Sequence, residues 1–224
     1  MEKLPHLFEN NRNWAKQITA SDPAFFENLI QQQSPEHLWI GCSDSRVPAN
    51  QIVGLPPGEL FVHRNVGNLV VHSDMNCLSV IQYAVDVLKI KHIMVVGHYG
   101  CGGIKAALDN NSHGLIDNWL RHIRDIYYCN RLELEKLEDM DKKVNRMCEL
   151  NVMEQVLNVA KTTIVQDAWA RGQDLTIHGW MYSIEDGLLK DMGICLSCLE
   201  EFVERVNGES PQFYIDPKTR LASR

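Results

Sequence analysis

Ile93-Met94-Val95-Val96-Gly97-His98-Tyr99-Gly100-Cys101-Gly102-Gly103 opens as a buried strand and closes as a site. Its apolar run is too short for a core helix and rich in β-branched residues, so it reads as a strand over 92–98. It ends in His98-x-x-Cys101, set among glycines that let the backbone turn tightly and present N–H groups. Leu38-Trp39-Ile40-Gly41-Cys42-Ser43-Asp44-Ser45-Arg46 has the same form. There a strand over 37–42 runs out into a cysteine, an aspartate and an arginine.

Working outward, residues 59–65, 175–182 and 187–194 read as further strands. Glu185-Asp186-Gly187 is a hairpin signal, so the last strand is expected to run antiparallel to its neighbour. Helical patterns lie between the strands. Ser73 or Asp74 can cap a helix that puts Leu78, Ile81, Val85 and Leu88 on one face. A second helix is expected over 151–171, stopped by Gly172. The charged, amphipathic stretch 118–147 reads as a surface helical insertion. The stretch 1–33 is expected to be helical, with Ser21-Asp22-Pro23 starting a helix that carries Phe25, Phe26, Leu29 and Ile30. The expected fold is therefore α/β: a mostly parallel central sheet of about five strands, flanking helices and an N-terminal helical arm. One domain is expected over 1–224, with an arm (1–33) and a core with a C-terminal extension (34–224).

Such sheets gather their chemistry beyond the carboxyl ends of the strands, where Cys42 and His98-x-x-Cys101 fall. Neighbouring strands lie about 5 Å apart, so the three side chains can converge on one ion. Two thiolates and an imidazole suit zinc, one per chain, and leave a fourth position open. Taken alone, a His-x-x-Cys is a weak signal and a single cysteine a weaker one. Two such clusters, each ending a buried strand after a glycine, are hard to explain by packing. Asp44 stands where it can fill the fourth position, and Arg46 where it can hold that carboxylate away in a bidentate pair. An exposed ion pair of little energetic worth is the commoner fate of Asp-x-Arg.

Composition removes other classes. A net charge of −7 speaks against nucleic acid or an anionic membrane as partner. No basic-then-apolar segment stands at the start, and no apolar run approaches the ~20 residues of a bilayer span. Seven cysteines, an odd number in a chain too long to need staples, point to a reducing cytoplasm.

These residues resemble the β-class carbonic anhydrases along nearly the whole chain. The resemblance rests on Trp39-Ile-Gly-Cys-Ser-Asp-Ser-Arg-Val-Pro48, Gly58-Glu-Leu-Phe-Val-His-Arg-Asn-Val-Gly67, Val96-Gly-His-Tyr-Gly-Cys-Gly-Gly103 and Leu175-Thr-Ile-His-Gly-Trp-Met-Tyr182. It implies reversible hydration of carbon dioxide to bicarbonate, with zinc on Cys42, His98 and Cys101. Asp44 would orient the attacking oxygen under the hold of Arg46, and the Gly102 N–H would support a substrate oxygen. Lys105, His63 or buffer would carry the proton away. A subgroup of this family closes its site by binding the aspartate to zinc and takes up inhibitory bicarbonate on a tryptophan, an arginine and a tyrosine. Trp39, Arg64 and Tyr182 match those positions. Read one by one, they are two core aromatics and an ion-pair partner.

The family also forms dimers with exchanged arms, often paired again into tetramers. The apolar stripe of Leu7, Trp14, Phe25 and Phe26 fits a homodimer, with a homotetramer as its extension. Two other functions compete: a zinc protein without activity, closed by Asp44, and a hydrolase of carbon disulfide or carbonyl sulfide on the same fold. Cys195-x-x-Cys198 lacks a second pair to complete a zinc site. Cys77, Cys129 and Cys148 look like small apolar residues in helices, and His178 like a satisfied core histidine.

Overall fold

In the computed structural model, residues 3–30, 33–109 and 111–206 are described. The expected C-terminal extension beyond 206 lies outside them. Five strands form one sheet in the order β2-β1-β3-β4-β5. They are β1 (His37–Cys42), β2 (Leu60–Asn65), β3 (His92–His98), β4 (Thr176–Tyr182) and β5 (Leu189–Leu196). All neighbours are parallel except β4 and β5, as the hairpin signal requires. Leu188 N–H is held by Asp186 Oδ1 and Ser183 N–H by Leu188 O, so the turn uses residues that the sequence pattern gave to the last strand.

Ten helices are described: α1 (Pro5–Ser21), α2 (Phe25–Ile30), α3 (Ala49–Val53), α4 (Met75–Gln82), α5 (Gly102–Leu108), α6 (Ile116–Cys129), α7 (Arg131–Leu134), α8 (Met140–Lys161), α9 (Thr163–Ala170) and α10 (Leu199–Arg205). Asp74 caps α4 by accepting from the N–H groups of Asn76 and Cys77, and α4 runs on through one wide turn over Tyr83–Val87. The helix expected over 151–171 is two helices. Thr162 ends α8 with its hydroxyl on Val159 O and starts α9 by accepting from Val165 N–H. Residues 118–147 are no surface insertion. Leu120, Ile123 and Leu134 are fully buried in the main core with Ile104 and Val152. A one-sided apolar stripe fits an integral layer as well as a surface helix, and the core side of this one is complete.

Alternation along the strands divides the interior. Leu38, Ile40, Ile93, Val95, Ile177 and Met181 belong to the larger core, while Trp39, Leu60, Met94 and Val96 belong to a second, smaller one. Helix α8 lies hard against the sheet because β3 and β4 carry glycines beneath it. A Cβ on Gly97 would sit 2.5 Å from a Val152 methyl, and one on Gly179 would sit 2.5 Å from an Ile194 methyl and 3.1 Å from Val156. Gly179→Ala is therefore expected to destabilise the fold by about 1–3 kcal/mol through overpacking. Urea unfolding checks this, and an unchanged midpoint would refute it.

No residue of α1 or α2 is buried. The two helices meet through an edge-on Trp14–Phe26 contact and leave Leu7, Phe8 and Ile30 exposed. No described helix is long and apolar enough to cross a membrane.

Candidate metal centre

Gly41 pairs with Val96, so Cys42 and His98 leave the sheet within one residue of each other at its carboxyl edge. The turn after His98 then brings Cys101 back. Cys42 Sγ and Cys101 Sγ lie 3.8 Å apart, and the donor atoms of Cys42, His98 and Cys101 fall within 4.8 Å of one another. All three residues are buried. His98 Nδ1–H donates to the Tyr99 carbonyl at 3.1 Å, which fixes the tautomer and leaves Nε2 as the lone-pair nitrogen. That Nε2 is buried and has no hydrogen-bond partner. A buried acceptor without a partner costs free energy that a bound cation would recover.

The two thiols are shifted in opposite directions. Cys42 is pulled down, first by the hydrogen bond from Cys101 and then by the N–H groups of Gly67 and Asp44; burial opposes this. Cys101 is pushed up by its contact with Cys42, by burial and by the Cys42 charge. Removing the second proton calls for a cation between the sulfurs.

Asp44 stands beside this cluster, with Oδ2 3.8 Å from His98 Nε2. Arg46 holds it at three points: N–H to Oδ1 at 3.0 Å, Nε to Oδ1 at 2.9 Å and Nη2 to Oδ2 at 2.7 Å. These bonds keep the carboxyl far below the usual carboxylate range. Gly102 begins α5, and nothing lies within 4 Å of where its Cβ would stand, so its backbone faces open space.

Trp39, Arg64 and Tyr182 share one face of the sheet, at the same parity on β1, β2 and β4. Trp39 is fully buried, its indole folded over Gly41 and its Nε1 without a partner. Arg64 donates from Nε to Cys42 O at 2.8 Å and from Nη2 to Asp44 O. It thus grips the backbone that carries both Cys42 and Asp44, a role that depends on the β1–β2 register and leaves no mark in the sequence.

The other candidates separate cleanly. His63 is buried against Asp74 and Cys77, a second group within metal-binding distance. There Asp74 already caps α4 and His63 Nε2 already meets Asn65 Nδ2 at 3.3 Å, so the imidazole and the carboxylate both have partners. Burial pushes the His63 pKa down and that of Cys77 up to about 12, which describes a neutral packed pair. Lys105 is exposed, 3.8 Å from Asp141. His178 meets His92 at 3.2 Å and lies 3.8 Å from Cys195. Cys148 is buried, while Cys129 at the end of α6 is exposed.

Residues 37–189 match the sequence model of a family described as carbonic anhydrase. The chain is 50% identical to a carbonic anhydrase of Emericella nidulans, over 84% of this chain and 82% of that protein. It is 40% identical to one of Candida albicans, over 85% of this chain and 68% of that protein. Among solved structures, a Coccomyxa β-carbonic anhydrase in complex with acetazolamide has a TM-score of 0.86 at 40% identity, covering 100% of this chain and 98% of the other. A tetrameric β-carbonic anhydrase from the filamentous ascomycete Sordaria macrospora has a TM-score of 0.82 at 38% identity, covering 86% and 98%.

Proposed function

Because this chain belongs to the β-class carbonic anhydrases, we propose that it hydrates carbon dioxide reversibly on one zinc per chain, held by Cys42, His98 and Cys101, with Asp44 as a gate. The observation that carries this reading is the buried, unpartnered His98 Nε2 facing two thiols, with the Asp44 carboxylate held just aside. The donor set suits zinc in softness and number. A zinc ion held by these residues would supply hydroxide near neutral pH, since it lowers the pKa of water to about 7. Asp44 Oδ2 accepts a hydrogen bond from the attacking oxygen and orients it, while Arg46 keeps the carboxylate ionised and out of the ligand set. The Gly102 N–H donates to a substrate oxygen. A purely structural zinc site has no use for an arginine that withholds a ligand, and the hold of Arg46 supports the open, catalytic alternative.

Regulation follows from Arg64. Its guanidinium holds the carbonyls of Cys42 and Asp44 and shares a sheet face with the unpartnered Trp39 Nε1 and with Tyr182. Bicarbonate bound on Trp39, Arg64 and Tyr182 would compete with the Asp44 carbonyl for the same donor, free the segment and release Asp44 from Arg46 toward the Cys42, His98 and Cys101 cluster. Both anion and gate then act on one two-state element, as coupling between sites requires. Stopped-flow hydration from mildly acidic to alkaline pH, with and without added bicarbonate, tests the gate. A flat profile without bicarbonate inhibition counts against it.

Gly41 gives a sharper test. A Cβ there would stand 2.2 Å from Trp39 Nε1, so Gly41→Ala must move the indole. The expected result is zinc content as in the wild type and a bicarbonate response weakened by about tenfold. An unaltered response would remove Trp39 from the anion site.

The exposed apolar residues of α1 and α2 support an arm that covers a second copy of the chain, giving a homodimer, and pairing of dimers would give a homotetramer. None of the seven cysteines is paired in a disulfide, which fits the reducing cytoplasm proposed for the chain.

A further inference from the structure

Tyr99 stands between two of the three proposed metal ligands, and its backbone and side chain are both held. Its N–H donates to Tyr182 O at 3.1 Å and its carbonyl accepts from His98 Nδ1. Its phenol leaves the site altogether and donates to Glu149 Oε1 on α8 at 2.7 Å. The Glu149 carboxylate also takes Lys190 Nζ from β5 at 3.2 Å and Arg146 Nη1 at 3.0 Å. One helical turn earlier on α8, Asn145 Oδ1 accepts from Gly100 N–H at 3.3 Å. Gly100 has φ +66, a left-handed conformation that a glycine adopts freely and leaves as freely.

We propose that Glu149 is a positioning residue for the metal centre: acting through the Tyr99 phenol, its carboxylate fixes the turn that carries His98 and Cys101. The physical case is one of geometry. Cys101 must return to within 3.8 Å of Cys42 across a glycine turn, and such turns hold a set distance only when something outside them is rigid. Helix α8 is that reference, pressed onto β3 at Gly97. Hydrogen bonds to an ionised carboxylate are short and roughly twice as strong as neutral ones. Glu149 stays ionised, since the donors Tyr99, Arg146 and Lys190 outweigh the cost of its burial. The ion pairs with Arg146 and Lys190 therefore serve to hold the acceptor that Tyr99 needs. The idea rests on the proposed zinc site, and residues that orient ligands in this way typically alter metal affinity by about 10–100-fold.

The test compares Glu149→Ala, Glu149→Gln, Tyr99→Phe and the Tyr99→Phe/Glu149→Ala double variant, with Glu133→Gln as control. Glu133 shares Arg146 with Glu149 and makes no bond to Tyr99. Two readouts are taken: zinc release from the loaded protein to a chelator, and hydrogen exchange of the Gly100 and Cys101 amides in zinc-free protein. Glu149→Ala and Tyr99→Phe should each release zinc about tenfold faster, with faster amide exchange. The double variant should be no worse than either single one. Glu149→Gln keeps a weaker, neutral acceptor for the phenol and should recover part of the loss, and Glu133→Gln should behave as the wild type. Wild-type release and exchange in both Glu149→Ala and Tyr99→Phe would overturn the proposal, as would effects that add in the double variant. The exchange readout needs no metal, so it fails or succeeds apart from the zinc reading itself.

Discussion

His98→Ala is expected to strip the chain of zinc and, with it, nearly all carbon dioxide hydration, while the fold survives. Its ring makes one local hydrogen bond, to Tyr99 O, so little of the core depends on it. Its Nε2 is the orphan that the site leaves for a cation. Removing one of the three proposed ligands should weaken zinc binding by roughly three orders of magnitude, a fraction of the ~10–16 kcal/mol that structural zinc sites supply. Two thiols 3.8 Å apart would then return to sharing a proton. Elemental analysis after dialysis against a chelator, stopped-flow hydration and circular dichroism check the three parts of the claim. A variant that keeps both zinc and activity would show that His98 is not a ligand.

Arg46→Ala should have the next largest effect, and its sign separates a gate from a helper. Asp44 Oδ2 is held 2.7 Å from Arg46 and stands 3.8 Å from His98 Nε2. Without the guanidinium only the backbone N–H at 3.0 Å restrains the carboxylate, and a small rotation would bring it toward an ion held by Cys42, His98 and Cys101. Zinc should be retained while hydration falls on the order of 10²-fold, the usual scale for losing a preorganised polar group in an active site. Arg46→Lys should recover little, because an ammonium cannot reproduce the two-point fork. Full activity in Arg46→Ala would mean that Asp44 needs no restraint.

Strand identity and the cluster of Cys42, His98 and Cys101 were legible for one reason. Cys42 and His98 each end a short apolar run, with Cys101 one turn further on, and a buried parallel strand announces itself by that run and by the glycine that closes it. The helices were less legible because period and charge say which residues face inward without saying onto what. The stripe of Leu120, Ile123 and Ile126 fits a surface helix or a core layer equally well. Thr162 looks like an ordinary helical residue until its hydroxyl is seen ending one helix and starting the next.

Parts of the site were hidden for a related cause. Arg64 could be named as an anion donor from its motif, but its hold on Cys42 O and Asp44 O depends on the pairing of β1 with β2. Asn145 and Glu149 lie far along the chain from His98-x-x-Cys101, and only the seating of α8 over Gly97 and Gly179 brings them to that turn. Small residues on β3 and β4 were the one available signal that a helix would come so close.

The central claim, an open zinc centre that hydrates carbon dioxide, is tested most directly by measuring zinc content and stopped-flow hydration on the same wild-type sample at alkaline pH. The account predicts one zinc per chain together with fast hydration. Zinc at one per chain with hydration no faster than buffer alone would contradict it.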